Sequence, residues 1–314
     1  MPASRETGGV QLSALTRLWD AASVMRRLPP PTPAVSILPF WGLYDLRLLD
    51  IRTETDFLRR HIPEACSIPH DDLDARTYEL PPKWRRLIVA DSRPVAAREI
   101  TGRLRAKGWR GAVALQDPVE SWPGPWESGP ARRTLWEPAP VVVDWGARLP
   151  VGRLLDLGCG SGRDAVYLAQ LGHEVTVVDR LGDALEKAEA LAARADVSLE
   201  LHEMDLRHER PEAAEGFDAI LMLRFFERSL LPWIASALRP GGILVLETFA
   251  DDAEGPGPRR PRWKLGRGEA LKALGQNVAF EVLESLERTD PSGVTVARLV
   301  VRKAPFETGH DGSE

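Results

Sequence analysis

The stretch LLDLGCGSGRDAVYLA, residues 154–169, decides how the chain is read. An apolar run passes into glycines at 158, 160 and 162, and the residues after them take up helical spacing. A strand that turns through glycines into a helix is the first βα unit of a nucleotide-binding sheet, because residues without a Cβ let a ligand approach the backbone at the strand's carboxyl end. The dinucleotide fingerprint G-x-G-x-x-G, counted from Gly158, wants its third glycine at 163, where the helix packs against its strand. Position 163 is arginine, the glycine stands at 162, and Asp156 precedes the set, giving D-x-G-x-G-x-G. This spacing argues against a nicotinamide dinucleotide.

Outward from the turn, strand and helix patterns alternate. HEVTVVD (173–179) reads as a strand, DALEKAEALAARA (183–195) as a helix, and VSLELHEMD (197–205) and FDAILML (217–223) as strands, the latter apolar enough to be buried on both faces. SLLPWIASALRPGG (229–242) reads as a helix and its stop, and ILVLETF (243–249) as a fifth strand. AFEVLESLERT and GVTVARLVVRK flank the turn sequence DPSG (290–293), which predicts an antiparallel hairpin. The pattern predicts a doubly wound, Rossmann-like α/β domain with a mostly parallel seven-stranded sheet and one antiparallel strand. Asp179 closes the second strand, where a carboxylate can accept from both ribose hydroxyls, and Asp205 follows the third. Each carboxylate alone reads as an ordinary surface residue; their joint placement after consecutive strands points to a nucleoside.

The D-x-G-x-G-x-G turn with these two carboxylates resembles motif I and its surroundings in the class I S-adenosylmethionine-dependent methyltransferases. GCGSGRDAVYLAQLGHEVTVVD, LRFFERSLLPWIASALRPGGILVLETF and GPRRPRWKLGRGEAL resemble the branch that includes the tellurite-resistance enzymes, over residues 151–304. The resemblance implies S-adenosyl-L-methionine as cofactor and a small acceptor that it does not identify. The implied cofactor-binding residues are Asp156, Gly158, Cys159, Gly160, Gly162, Asp179, Arg180, Asp205, Leu206 and Leu223, with Asp205 near the adenine amino group. Cys159 reads as a small turn residue, and Asp164 suits the first turn of the helix dipole. Acceptor-lining candidates are Arg224, Phe225 and Arg228, with Phe226 and Glu227 beside them, over the ends of the fourth and fifth strands. The basic segment PRRPRWKLGR (258–267) reads as a solvated loop, or alternatively as a lid that attracts an anionic acceptor.

The first half holds a smaller α/β unit. LLDIRTETDFLRRHIPEACSIPHDDL (48–73) and LRAKGWRGAVALQDPVESW (104–122) resemble the opening and closing segments of a rhodanese domain, over 41–127. In active rhodaneses a strand ends in a persulfide-bearing cysteine cradled by the amides of a six-residue loop. Here that strand is RLIVADSRPVAA; Asp91 takes the cysteine's place and the loop is short. A carboxylate cannot accept sulfane sulfur, and without an amide nest little stabilises a persulfide anion. The resemblance therefore implies an inactive rhodanese-like domain, with Cys66 in a structural segment and a protein partner as one use for the domain. Residues 1–40 read as an amphipathic helix and a Pro-rich linker, 128–150 as a second linker, and 305–314 as a disordered tail.

Composition narrows the function classes. A net charge of −5 argues against general affinity for nucleic acid or anionic membranes. No apolar run approaches the ~20 residues of a membrane span and the N-terminus lacks a secretory core, so the expectation is cytoplasmic. Two cysteines are too few for a disulfide framework, and six histidines lie scattered without ligand spacing, so no metal is expected. A methyltransferase with a degenerate appendage, a non-catalytic S-adenosylmethionine-binding sensor or scaffold, and a sulfur-handling enzyme are the three functional readings. Asp91 disfavours the last.

Overall fold

The computed structural model describes residues 10–11, 46–212, 216–251, 257–258, 260–275, 278–290 and 292–305. The helix and linker expected over 1–40 and the tail expected over 305–314 lie outside these residues, apart from positions 10, 11 and 305. The chain divides into two compact units, Met1–Glu137 and Pro138–Glu314.

The first unit is built on strands β1 (Leu46–Asp50), β2 (Ala65–Ser67), β3 (Arg86–Ala90) and β4 (Ala112–Ala114). They lie in the order β2-β1-β3-β4, and each neighbouring pair is parallel. Helix α1 (Glu54–Arg59) starts at Thr53, whose side chain accepts from the Asp56 amide. Helix α2 (Pro94–Ala106) has Pro94 at its first position and buries Ala97, Ile100 and Leu104 on the sheet, beside Leu87 and Val89. The unit runs past the Pro/Gly/Trp segment 121–130: Leu135 is buried in its core, and Glu137 accepts from Arg47 and Arg85 at 2.7 and 2.8 Å.

The second unit opens with helix α3 (Pro140–Trp145), inside the stretch expected to be a linker. The apolar run PVVVDW is the reason: Val141, Val142 and Trp145 are buried against β5 (Arg153–Leu157) and its neighbours, so this segment is core. Then follow α4 (Arg163–Gln170), β6 (Glu174–Asp179), α5 (Gly182–Arg194), β7 (Glu200–Glu203) and β8 (Phe217–Leu223). After them come α6 (Leu231–Ala237), β9 (Leu238–Ala250), β10 (Lys264–Leu265), α7 (Glu269–Leu274), β11 (Phe280–Thr289) and β12 (Thr295–Lys303). The sheet order is β11-β12-β9-β8-β5-β6-β7, with β10 added beside β9. All pairs are parallel except those of β12, which runs antiparallel to both β9 and β11.

Two details depart from the sequence reading. RPGG is not a helix stop but the start of β9: Leu238 pairs with Phe217 and Ile243 with Ala219, so residues 239–242 bulge out. Pro240 cannot donate to the ladder and Gly241 has φ +79°, which together favour that bulge. The short β10 lies within the segment read as a loop or lid. Two apolar layers, one around Phe226, Ile234 and Leu244 and one around Val141, Leu168 and Val245, cover the sheet. The order reverses at β5, flanked by β6 and β8, and the crevice at its carboxyl end is where such sheets bind ligands.

Candidate cofactor site

The turn after β5 holds three glycines with positive φ, and each serves a different end. A Cβ on Gly158 (φ +77°) would lie 2.8 Å from the Phe225 side chain, and one on Gly162 (φ +73°) would lie 2.6 Å from the Cβ of Ala188 on α5. These two positions let neighbouring elements close on the turn. Gly160 (φ +55°) has nothing within 4 Å of its would-be Cβ, so its backbone faces open space. The amides of Gly158 and Cys159 donate to the Val178 carbonyl at 2.8 and 3.1 Å, which ties the turn to β6.

Carboxylates gather around this turn. Asp179, at the end of β6, accepts from the Gly160 amide at 2.9 Å through Oδ2 and from the Leu181 amide at 3.1 Å through Oδ1. Backbone thus fixes the carboxylate and leaves each oxygen a further lone pair. Asp156, on β5, is 3% exposed, and its Oδ2 has no hydrogen-bond partner among the described residues. Burial, with Asp164 and Asp179 alongside, pushes its carboxyl well above the usual range. Half-buried Asp164, on the first turn of α4, accepts from the Ala139 amide at 2.6 Å; burial raises its carboxyl to about 6, against the opposing pull of that bond and of Arg163. Burial also pushes the Cys159 thiol far up, with Asp156 and Asp179 adding to it, so it stays neutral. Beyond β7, Asp205 is clamped by Arg207, whose Nε donates at 2.8 Å and whose amide donates at 3.1 Å; that pairing holds its carboxyl well below the ordinary range.

A cavity of about 340 Å³ opens beside the turn. Of the residues singled out in the sequence, Gly158, Asp179, Arg180, Asp205, Leu206, Phe225, Phe226 and Glu227 line it, joined by Met204, Arg207, Arg262 and Trp263. Asp156, Cys159, Gly160, Gly162 and Leu223 are not among its walls; Asp156 is buried in β5 and Leu223 at the end of β8. Arg224 and Arg228 are not among its walls. Arg224 sits at φ +55°, pairs with Asp290 at 3.1 Å and stands 3.7 Å from Glu247. Arg228 binds Glu269 and the carbonyls of Arg262 and Lys264. Both guanidiniums are thus taken up by residues 23 or more positions away, which no local pattern signals.

Sequence reasoning also missed an ionic network centred on the buried Arg298 and Glu247. Arg298, on β12, donates to Glu247, Asp144 and Glu284, each at 2.9 Å, and Trp145 Nε1 donates to Glu284 at 2.9 Å. Its members come from α3, β9, β11 and β12, so only the folded sheet assembles them. Among the described residues there is no group of three or more His, Cys, Asp or Glu placed to hold a metal, and no helix long and apolar enough to cross a membrane.

The set fits an adenosyl sulfonium. S-adenosylmethionine carries an ammonium and a sulfonium, and the buried, unpartnered oxygen of Asp156 with Asp164 and Asp179 beside it is a surplus of negative charge that such a cation offsets. Comparison with known proteins agrees. Residues 154–242 match the family model of a methyltransferase domain. The uncharacterized protein UNK4.09 of Schizosaccharomyces pombe is 26% identical over 291 residues, covering 74% of this chain and 86% of that protein. That share exceeds the second unit alone, so the likeness reaches into the first. The ubiquinone biosynthesis O-methyltransferase of Xanthomonas campestris is 28% identical over 132 residues, 40% of this chain; the chain spans about half of that relative, 55% of its length. The structure of TehB from Haemophilus influenzae is similar over 52% of this chain and 61% of that one, at 22% identity and a TM-score of 0.44. From the glycine turn, its carboxylates and the matched family, the second unit is a class I S-adenosylmethionine-dependent methyltransferase domain, with S-adenosylmethionine as its cofactor.

Proposed function

We propose that the chain moves a methyl group from S-adenosylmethionine to a small-molecule acceptor, and that residues 41–127 are a rhodanese-like domain without sulfur chemistry. One observation carries the first part: Asp156 and Asp179 converge on the glycine turn, and Asp179 and Asp205 share one cavity. In this reading Asp179 accepts from the ribose hydroxyls with its free lone pairs, and Asp205 and Leu206 flank the base. Gly158, Cys159, Gly160 and Gly162 bring backbone close to the amino-acid end, Asp156 supplies charge there, and Arg180 and Leu223 complete the surround. The bound cofactor supplies a methyl on a sulfonium, which a nucleophile displaces in line. The chain's own share is positioning, which can supply much of the acceleration.

The acceptor enters over the carboxyl ends of β8 and β9, beside Phe225. Calorimetry with S-adenosylmethionine and S-adenosylhomocysteine tests the site. Turnover is then measured against thiols, selenite and tellurite oxyanions, and hydroxylated small molecules. Methylated product from one of these classes is expected. Cofactor binding with no turnover on any of them would favour a non-catalytic S-adenosylmethionine-binding scaffold instead.

For the first unit, the support is the end of β3. Three residues, Asp91, Ser92 and Arg93, separate β3 from α2. Pro94 has no N–H to offer, and the Arg93 amide already donates to the buried Asp91 carboxylate at 2.7 Å. Cys66 is buried, donates to the Arg133 carbonyl at 3.2 Å, and has its thiol pushed up to about 12 by that burial, so it is no nucleophile. A sulfurtransferase assay on the full chain is expected to read background; persulfide on Cys66 by mass spectrometry would overturn this reading.

A further inference from the structure

Two residues that line this cavity come from the segment after β9. Arg262 and Trp263 lie in the short segment that leads into β10. Its backbone is pinned at three consecutive carbonyls. Arg228 donates to the Arg262 carbonyl at 3.1 Å and to the Lys264 carbonyl at 2.8 Å, and the Thr248 hydroxyl donates to the Trp263 carbonyl at 3.1 Å. Arg228 is itself fixed by Glu269 and lies over the Phe226 ring at 4.8 Å. With the carbonyls turned to these anchors, the side chains at 262 and 263 are left to face the cavity. Trp263 is 41% exposed, with the guanidiniums of Arg262 and Arg260 5.1 and 5.4 Å from its ring.

The position of this wall says which part of the ligand it meets. The cavity it borders is lined mostly on the adenosyl side, by Asp179, Arg180, Met204, Asp205 and Leu206, with Gly158 and Phe225 also in its walls, whereas Asp156, Asp164 and Glu247 are not. Adenine is planar and uncharged, and indole and guanidinium planes are the groups that stack on such a ring. We infer that Arg262 and Trp263 form the outer wall for the cofactor's adenine, and that Arg228 is a positioning residue acting through that wall. The inference rests on the assignment of this cavity to the adenosyl group.

Calorimetry of S-adenosylhomocysteine on the full chain tests it, with Trp263→Ala, Trp263→Phe, Arg228→Ala and the Trp263→Ala/Arg228→Ala pair. Loss of a base-stacking side chain is expected to weaken binding about tenfold or more, while Trp263→Phe, which keeps a ring, stays within about threefold of the parent. Arg228→Ala alone weakens binding, and the double variant binds about as Trp263→Ala does, because Arg228 acts through the wall. In the parent, ligand binding changes tryptophan emission by an increment that Trp263→Phe lacks. Melting temperatures of the ligand-free variants near that of the parent keep the comparison on the site. If the parent binds and Trp263→Ala binds equally well, the wall does not serve adenine. A Trp263→Ala effect confined to the acceptor's KM would likewise overturn it. Additive losses in the double variant would remove the role of Arg228. A parent that does not bind S-adenosylhomocysteine would instead remove the cofactor assignment on which the inference stands.

Discussion

Alanine at Gly160 and at Gly162 separates the two uses of the glycine turn. At Gly162 the added methyl meets the Cβ of Ala188 at 2.6 Å and its Cα at 3.0 Å, while φ stays at +73°. The left-handed conformation costs a residue with a Cβ about 1–2 kcal/mol, and forcing a methyl between two packed helices costs about 1–3 kcal/mol more. A loss of about 2–5 kcal/mol lowers the melting temperature of a domain this size by roughly 4–20 °C. At Gly160 φ is +55° and nothing stands within 4 Å, so the strain alone applies, about 1–2 kcal/mol. The methyl there projects into the space that the cofactor's backbone approach requires. Scanning calorimetry without ligand, followed by titration with S-adenosylmethionine, reads both. Gly160→Ala is expected to melt within a few degrees of the parent yet lose most cofactor affinity, and Gly162→Ala to melt far lower. If Gly160→Ala bound the cofactor as the parent does, the open face at 160 would not be a ligand surface and the reasoning would fail.

Three further outcomes follow from the charges. Asp164 titrates at about 6 in the ligand-free site, and a bound cation favours its carboxylate, so binding expels the proton; S-adenosylmethionine affinity should fall by up to about tenfold per unit as pH drops below about 6. Asp164→Asn keeps an oxygen for the Ala139 amide and should lose that step, and a parent titration flat between pH 7.5 and 5 would contradict the coupling. Arg298→Met removes the cation between Glu247, Asp144 and Glu284 and should destabilise the second unit by about 3–5 kcal/mol in urea unfolding; a change below about 1 kcal/mol would show the network to be incidental. Asp91→Cys should yield no thiocyanate from thiosulfate and cyanide above background, since a three-residue link ending in Pro94 still cannot form an amide nest. Turnover by that variant would mean that the missing cysteine, not the loop, silences the unit.

What the sequence made legible, and what it hid, divides by distance along the chain. The turn at 158–162 and the carboxylates at 179 and 205 are local features: each is set by the strand immediately before it, and a periodicity of two followed by glycines is enough to place them. Pro and Gly near 128–150 suggest a break, whereas Val141, Val142 and Trp145 are buried in the core of the second unit. Arg224 and Arg228 are held by partners that no local pattern shows. Their neighbours in sequence line the cavity, and the choice between facing a ligand and facing a carboxylate was made by Asp290 and Glu269, 66 and 41 residues away. The same holds for Arg298, whose partners at 144, 247 and 284 share no spacing with it. An arginine near a predicted site therefore carries little information by itself, because its long stem lets distant acids compete for it. A buried aspartate such as Asp156 carries more. Its β5 backbone leaves it no route to solvent, so an oxygen left unpartnered there has to be answered by something that binds.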